Sequence, residues 1–436
     1  MCSKLKIYMG VWLLLIYVHA APTDSFAEYI KKVIRDKGLI DDIFMPFTDV
    51  SMSDDVAKVF QGMNMYDRNE VAMKFSKNLV TSKREYEMYS YLDAIDDTIL
   101  TSTKKLEIES YGISPIYYYN GDSQSRSLIA LSVFDCSLWH RRFKLKTTFN
   151  QRDGLILFRN FVRQIKYVHS RGVRHNDVAS GNIMLKKGRS FLIDFSHSSK
   201  MESSFPGYTN IYASRRCHQE IYNKDNSKNG NAFDDWESFL YTMAHMLGIQ
   251  LTWLVQSKAQ NWNMPFTEIG KLKKYTNVTI ETIEKHFGQD PNFQDLKEVM
   301  VQFAKETFKT NCQFPDYNYF DTLITEKINE TEHLPAVFSW LKGKEAEAAA
   351  QDLRTKQTKT ADQIKMPEGD FIYVEPDYGY FNEKRVEMAE IAKKNHENFL
   401  KGEKGKKLIP LMVKFATLAI NYVAGEDKLP TAEEAD

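Results

Sequence analysis

Three polar residues between His175 and Phe195 determine which chemistry this chain of 436 residues can support. The segment begins HNDVASGNIML and, after five further residues, ends FLIDF. It contains Asp177, an asparagine five positions later at Asn182, and a second aspartate, Asp194, twelve positions beyond that. Apolar residues on both sides of Asp194 predict a short strand that holds its carboxylate rigidly.

Phosphoryl transfer from a nucleotide needs this set of polar groups. One carboxylate orients the attacking hydroxyl and accepts its proton, a role that we predict for Asp177. An asparagine and a second carboxylate hold divalent metal ions against the phosphates, and Asn182 and Asp194 fit these roles. An isolated Asp or Asn is common in turns, but three ordered residues framed by apolar segments are not. We therefore predict a phosphotransferase that uses ATP with Mg²⁺ or Mn²⁺.

Neighbouring residues resemble the eukaryotic protein-kinase family. The segment YVHSRGV (residues 167–173) leads into the predicted catalytic loop as in those enzymes. The segment VAMK (residues 71–74) resembles the strand whose lysine contacts the α- and β-phosphates. The resemblance implies that Lys74 is held by a carboxylate on the next helix. Glu85, eleven residues later, is the candidate, and Glu87 is second on spacing.

Further motifs are similar to the casein kinase 1 family. They are Tyr212-Ala213-Ser214 with His218, Asp234–Ser238 with Tyr241, and Pro315–Tyr319 followed by Leu323-Ile324. The similarity runs from about Val50 to Ile328. It implies an α+β, bilobed fold with a small β-rich N-lobe, a larger helical C-lobe and the nucleotide in the cleft.

The same resemblance implies the remaining site residues. The catalytic residues would be Asp177, Lys74 and Glu85, and the metal ligands Asn182 and Asp194. The nucleotide would be bound by Lys74, Val59, Leu131, Val133, Asn182 and Asp194. A hinge would lie at Ser132–Phe134, and Asp235 would anchor the backbone of the catalytic loop.

The chain departs from the family pattern at several positions. Met52, Asp54 and Ala57 stand where the family has the glycines of its phosphate-binding loop. Asn176 replaces the arginine before the catalytic Asp, so we do not expect control by activation-loop phosphorylation. Ala179 replaces the lysine two residues after that Asp, Ser196 replaces the glycine after Asp194-Phe195, and Ile211 replaces an arginine that reads acidic substrates.

Three functions stay open at this point. The leading interpretation is a protein kinase that phosphorylates Ser or Thr hydroxyls of proteins. The changed phosphate loop favours a pseudokinase that serves as a scaffold, but such a scaffold would not need two metal ligands and a base. The segments HND, GNI and IDF also resemble choline and aminoglycoside kinases, which act on small molecules.

Composition excludes other classes of protein. The 58 basic and 58 acidic residues give zero formal net charge, which removes the simplest argument for nucleic-acid binding. We therefore expect a protein substrate and no nucleic-acid partner. A hydrophobic fraction of 43% is enough for a core and excludes a wholly disordered chain. Four cysteines are too few for a disulfide scaffold.

The N-terminus has the pattern of a secretory signal peptide. Lys4 and Lys6 precede a short apolar stretch, Ile7–Val18, and small residues follow, so we predict cleavage after Ala20. We expect the mature protein to be secreted or to stay in the lumen of the secretory pathway. The apolar segment Leu408–Val423 holds Pro410 and Lys414, and we predict a packed helix rather than a membrane span.

The predicted order along the chain is a signal peptide (1–20), an N-terminal helical extension (21–45), a protein-kinase-like domain (46–342), and a linker with a helical C-terminal extension (343–436). The predicted strands are Val56–Phe60, Glu70–Phe75, Pro115–Tyr119 and Ser127–Phe134. The predicted helices include Ser25–Lys37, Ser82–Ala94, Leu155–His169, Asp234–Leu247 and Asn382–Lys401.

Overall fold

The computed structural model of the protein describes residues 38–49, 57–95, 102–123, 126–201, 211–223, 230–260, 264–273, 276–307, 313–328, 337–355, 359–368 and 380–402, and positions 33, 203, 209, 371, 373 and 376. Its strands are β1 (Phe44–Asp49), β2 (Ala57–Asn64), β3 (Glu70–Ser76), β4 (Ile116–Ser123), β5 (Arg126–Ser132), β6 (Cys136–Ser137), β7 (Val173–Arg174), β8 (Ile183–Lys186), β9 (Arg189–Leu192) and β10 (Ser199–Lys200). Its helices are α1 (Leu79–Tyr91), α2 (Ser102–Ser110), α3 (Gln151–Ser170), α4 (Arg215–Asn223), α5 (Ala232–Leu247), α6 (Thr252–Ala259), α7 (Phe266–Lys273), α8 (Thr276–Phe287), α9 (Gln294–Thr307), α10 (Tyr317–Ile328), α11 (Lys344–Thr355) and α12 (Tyr380–Lys401).

The chain divides into two compact units. The first unit comprises Met1–Asn78, Tyr118–Val133 and Tyr378–Asp436, and the second comprises Leu79–Tyr117 and Phe134–Asp377. The chain leaves the first unit between Val133 and Phe134, which is where the sequence predicts a hinge. One unit is built on a β-sheet and the other mainly on helices, so the predicted α+β fold class is confirmed.

The first unit contains an antiparallel sheet in the order β1-β2-β3-β5-β4. Side chains of β3 alternate between its two faces, as the period of a strand requires. Val71, Met73 and Phe75 are buried, whereas Ala72 and Lys74 are half-buried. One face of β3 therefore belongs to the core, and the other carries the predicted phosphate-binding lysine.

Helix α12 packs against the β1 and β2 end of this sheet. Its Ala392 lies in a buried cluster with Met45 and Met65. The side-chain amide of Asn395 donates hydrogen bonds to the carbonyl oxygens of Met65, at 2.9 Å, and Tyr66, at 3.2 Å. A helix near the end of the sequence is thus part of the first unit.

The core of the second unit is aromatic. Helices α3, α5 and α9 bring Phe161 onto Phe239 with ring centroids 3.7 Å apart, and Trp236 onto Phe303 at 3.8 Å. Stacked pairs of this kind add to the free energy that burial of their large apolar surfaces already provides. Helix α3 begins with a capping box, in which Asn150 and Asp153 bond to each other's backbone N–H groups.

Described residues between positions 337 and 376 pack on the second unit. Ser339 donates to the carboxylate of Asp153 from its backbone at 2.6 Å and from its hydroxyl at 2.5 Å. The Tyr373 hydroxyl donates to the Gly172 carbonyl at 2.7 Å and accepts the Met201 N–H at 3.3 Å. These residues are therefore bound to the helical unit, although the boundary at 342/343 stays a prediction.

Some predicted elements differ from those observed. Strand β1 begins at Phe44, inside the extension predicted as helical. It contains Pro46, a residue that disfavours a strand in a sequence pattern. Because β1 is at the edge of the sheet, the missing N–H of this proline is tolerated. Helix α2 was not predicted, and α1 begins three residues before the predicted Ser82. The predicted signal peptide, Met52, Asp54 and Leu408–Val423 lie outside the described residues, as does Ser25–Lys37 apart from Val33.

Two further findings concern the described residues alone. No helix among them is both long enough and apolar enough to cross a membrane. Cys136 and Cys217 are free thiols, Cys136 half-buried and Cys217 buried. Cys2 and Cys312 are not among the residues described.

Candidate active site

Asp177 lies in the loop between β7 and β8 of the second unit. Its carboxylate is largely buried, and Asn182 holds it from within the same loop. The amide nitrogen of Asn182 donates to the Asp177 carbonyl at 2.9 Å and to Asp177 Oδ2 at 3.1 Å. The backbone N–H of Asn182 also donates to the Ala179 carbonyl at 2.9 Å, which closes the turn between the two residues.

Asp194 is brought beside Asn182 by the backbone. Ile193 donates its N–H to the Asn182 carbonyl at 3.0 Å. Asp194 itself is not on a strand, contrary to the sequence prediction, because β9 ends at Leu192. It has a φ of +66°, in the left-handed region that Asp tolerates better than most residues, and it caps the 3₁₀ turn Phe195–His197 by accepting the Ser196 N–H at 3.3 Å.

The donor atoms of this pair fit a hard divalent cation. The amide nitrogen of Asn182 is committed to Asp177, so its carbonyl oxygen Oδ1 is the atom available to a metal. Asp194 adds carboxylate oxygen, and oxygen ligands of both kinds are preferred by Mg²⁺. Asn182 and Asp194 therefore fit the metal-ligand roles predicted from the sequence.

Asp235, at the start of α5, anchors the catalytic loop. Its Oδ2 accepts the His175 N–H and its Oδ1 accepts the Asn176 N–H, both at 2.7 Å. His169 Nε2 lies 3.0 Å from the same carboxylate. Burial acts to raise the pKa of Asp235, but the hydrogen bonds from His169 and His175, together with the charges of both rings, outweigh burial and lower the pKa from its ordinary value. The anchoring role implied by the resemblance is confirmed.

Glu85 belongs to α1 and is buried in the second unit. Tyr89, one helical turn later, packs edge-on against Phe195 with centroids 4.9 Å apart. Burial raises the pKa of Tyr89, and the charges of Glu85 and Asp194 raise it further. Glu85 and Asp194 therefore both act electrostatically on the Tyr89 hydroxyl. Glu87, the second candidate on spacing, is half-buried.

Lys74 lies in the first unit, on β3. Antiparallel pairing sets Val59 and Ile129 directly opposite Lys74, and Leu131 opposite Ala72. Residues directly opposite each other share a face, as do residues two apart on one strand. Val59, Lys74 and Leu131, three of the residues predicted to bind the nucleotide, therefore lie on one face of the sheet. Val133 follows β5 at the end of this unit.

The sequence of this protein also matches a known protein family. The protein kinase domain family matches residues 55–317, which is more than half of the chain. The chain belongs to the protein kinase family.

Among curated relatives, a Wee1-like protein kinase of Arabidopsis thaliana is 26% identical over 136 residues. That match covers 31% of this chain and 27% of the relative, so the kinase described here spans about a quarter of the relative that it matches. The predicted relationship to the protein-kinase superfamily is confirmed, whereas the similarity to the casein kinase 1 family is a prediction.

Sequence reasoning did not assign a role to two residues of this kinase site. Asn176, with a φ of +63°, donates from its amide to the His197 carbonyl and to Ser199 Oγ, both at 2.9 Å. His197 Nδ1 lies 3.4 Å from Asp177 Oδ2. The sequence indicated that Asn176 is unusual, because it stands where the family has an arginine. Nothing in the sequence pattern indicated a role for His197.

Asp177 is kept ionised by its surroundings. Burial acts to raise its pKa, but hydrogen bonding from His197 and from Thr209, together with the nearby ring of His175, lowers it overall from the ordinary value. A carboxylate that is deprotonated at neutral pH can accept a proton from an acceptor hydroxyl. The electrostatics therefore agree with the role of Asp177 as the base.

Proposed function

We propose that this protein kinase transfers the γ-phosphoryl group of ATP to Ser or Thr hydroxyls of proteins. The observation that carries the proposal is the linkage of Asp177, Asn182 and Asp194 through hydrogen bonds in the second unit. A base and two oxygen ligands for a metal are the groups that this reaction requires. Mg²⁺ or Mn²⁺ supplies neutralisation of the phosphate charge when bound.

Each of the predicted site residues has a separate role in this proposal. Asp177 orients the acceptor hydroxyl and takes its proton. Asn182 and Asp194 hold the metal ion, and Lys74 binds the α- and β-phosphates. Val59, Leu131 and Val133 supply apolar contacts to the nucleotide base.

The segment Ile211–Ser214, which we propose to contact the substrate, is held by tertiary hydrogen bonds and supports a protein acceptor. The Tyr212 hydroxyl lies 2.7 Å from His245 Nδ1, and the Ser214 hydroxyl donates to Asp234 at 2.5 Å. The Ile211 carbonyl accepts a hydrogen bond from Trp253 at 3.1 Å. This segment corresponds to the Tyr-Ala-Ser motif on which the likeness to the casein kinase 1 family rests. Because Ile211 replaces the family arginine, a preference for acidic sites is not part of the proposal.

The test is a transfer assay with a mixed set of acceptors. The mature chain is incubated with labelled ATP, Mg²⁺ or Mn²⁺, unphosphorylated proteins, choline, ethanolamine and aminoglycosides, and labelled residues are identified by mass spectrometry. Phosphoserine or phosphothreonine in the wild type and none in Asp177→Asn supports the proposal. Phosphotyrosine alone, or a labelled small molecule alone, contradicts the acceptor class.

Binding of ATP separates an inactive kinase from a protein with another function. Thermal shift with ATP and Mg²⁺ is measured on the same wild type and Asp177→Asn samples. Stabilisation by ATP without any transfer would identify a pseudokinase scaffold. Absence of both binding and transfer would mean that the site has lost its catalytic use.

We also propose that the kinase enters the secretory pathway through the leader cleaved after Ala20. The charged start, the short apolar stretch and the small residues before Pro22 support this proposal. Expression of the full chain in eukaryotic cells, followed by N-terminal sequencing of protein from the medium, tests it. Intact Met1 on protein found only in the cytosol would contradict it.

A further inference from the structure

The proposed mechanism leaves His197, in the catalytic loop region, without a role. Its Nδ1 lies 3.4 Å from Asp177 Oδ2. The His197 side chain is 41% exposed and the Asp177 side chain 10%. The imidazole thus contacts the base from the solvent side, where an acceptor hydroxyl also has to arrive.

The position of His197 is fixed by the catalytic loop itself. Its carbonyl oxygen accepts the Asn176 amide at 2.9 Å. The Ser198 N–H closes the 3₁₀ turn onto the Phe195 carbonyl at 3.0 Å, and the Ser198 hydroxyl donates to the His175 carbonyl at 3.1 Å. The backbone on both sides of the ring is therefore held against the loop that carries Asp177.

The contact with His197 brings a group that can carry positive charge to the Asp177 carboxylate. Asn182 donates to the carboxylate but is neutral, and the residue two positions after Asp177 is the buried, uncharged Ala179. Of the described side chains that hydrogen-bond to this carboxylate, His197 is the one able to carry a positive charge. The ring of His175, in the same loop, also acts on Asp177 through its charge.

We infer that His197 is a positioning residue for phosphoryl transfer, which holds the Asp177 carboxylate in the orientation that receives the acceptor hydroxyl. This inference rests on the proposed function. In the transfer, the acceptor oxygen forms a bond to the γ-phosphorus and the bond between that phosphorus and ADP breaks. The hydroxyl proton passes to Asp177. His197 donates from Nδ1 to Asp177 Oδ2 and so leaves the other carboxylate oxygen to face the hydroxyl.

The experiment compares turnover in a set of variants of the full mature chain. His197→Ala is expected to lower kcat by about tenfold to a hundredfold, with the KM for ATP within about twofold of wild type, because the lost contact does not reach the nucleotide. His197→Asn, which can place an amide donor near the position of Nδ1, is expected to retain more activity. Ala179→Lys added to His197→Ala is expected to restore part of kcat. His286→Ala, an exposed histidine on α8, is the matched control.

A second measurement detects the contact without relying on catalysis. The His197 ring is followed by NMR, with assignment through His197→Ala, and its titration midpoint is expected to fall in Asp177→Asn. An unchanged midpoint overturns the contact, and an active wild type with full kcat in His197→Ala overturns the inference alone. A wild type that phosphorylates nothing overturns the proposed function and, with it, any role of His197 in transfer.

Discussion

The carboxylate of Asp235 accepts the backbone N–H of His175 across a separation of 60 residues, at 2.7 Å. The same carboxylate accepts the next N–H along the chain, that of Asn176. These two residues directly precede Asp177, so the helix α5 determines where the catalytic loop lies. The conformation of the loop is thus maintained by a residue that does not touch a substrate.

Asp235→Ala is expected to destabilise the kinase by about 3 kcal/mol, because two buried N–H groups and His169 lose their acceptor. Urea unfolding measures this change. Asp235→Asn keeps one acceptor oxygen and should be less destabilised. Glu281→Ala, the loss of an exposed carboxylate on α8, is the control and should leave the free energy of unfolding within about 0.5 kcal/mol of wild type. Equal stability of the Asp235→Ala variant and the control would contradict the anchoring role.

Asp194→Ala is expected to abolish the dependence of ATP binding on Mg²⁺ while the fold stays intact. A metal ion held by Asp194 would supply most of the neutralisation of the phosphate charge at such a site. Calorimetric titration with ATP, with and without Mg²⁺, measures the effect, and circular dichroism checks the fold. Asp177→Asn should bind ATP like wild type, since its carboxylate faces the acceptor. Unchanged Mg²⁺-dependent affinity in Asp194→Ala would show that Asp194 is not a metal ligand.

Lys273 should make the kinase more stable as pH rises from about 7 towards 10. Its ammonium is buried, where it donates to the Ala213 carbonyl at 2.6 Å and lies 4.9 Å from the centre of the Tyr241 ring. Burial lowers its pKa from 10.5 to about 7. The unfolded chain therefore binds more protons than the folded one between these two pKa values, and the free energy of unfolding rises with pH over that range.

Lys273→Met removes this titration and tests the effect. The difference in free energy of unfolding between wild type and Lys273→Met is measured at several pH values, so that contributions from Glu237, Cys217 and His218 largely cancel. The free energy of unfolding of the wild type should increase relative to that of Lys273→Met as pH increases. Lys258→Met, on the neighbouring helix α6, is a control that should give a constant difference. A constant difference for Lys273→Met as well would argue against a lowered pKa.

Ala392→Glu is expected to detach α12 from the first unit. Ala392 is completely buried beside Met45 and Met65, so a carboxylate placed there would lose its hydration among apolar side chains. Hydrogen exchange should show lost protection over residues 385–400. Ile391→Glu, one residue away and 39% exposed, is the matched control and should keep its protection. Equal protection in both variants would mean that this contact does not hold the helix.

The sequence alone was sufficient for those parts of the protein that depend on local patterns. Alternating and helical periodicity placed β3, α3 and α5 close to their observed bounds, because burial of an apolar face requires the period of the element. The order of Asp177, Asn182 and Asp194 was enough to predict a phosphotransferase, since the chemistry requires those side chains on adjacent short segments.

Tertiary structure decided the relationships that join distant residues. The contact of His197 with Asp177, and the two bonds that Asn176 makes beyond it, depend on left-handed backbone conformations at Asn176 and Asp194 that no periodicity encodes. The packing of α12 on Met45 and Met65 joins residues more than 300 positions apart. Such contacts depend on which complementary surfaces meet after the chain folds, whereas a sequence pattern reports only the period of each surface.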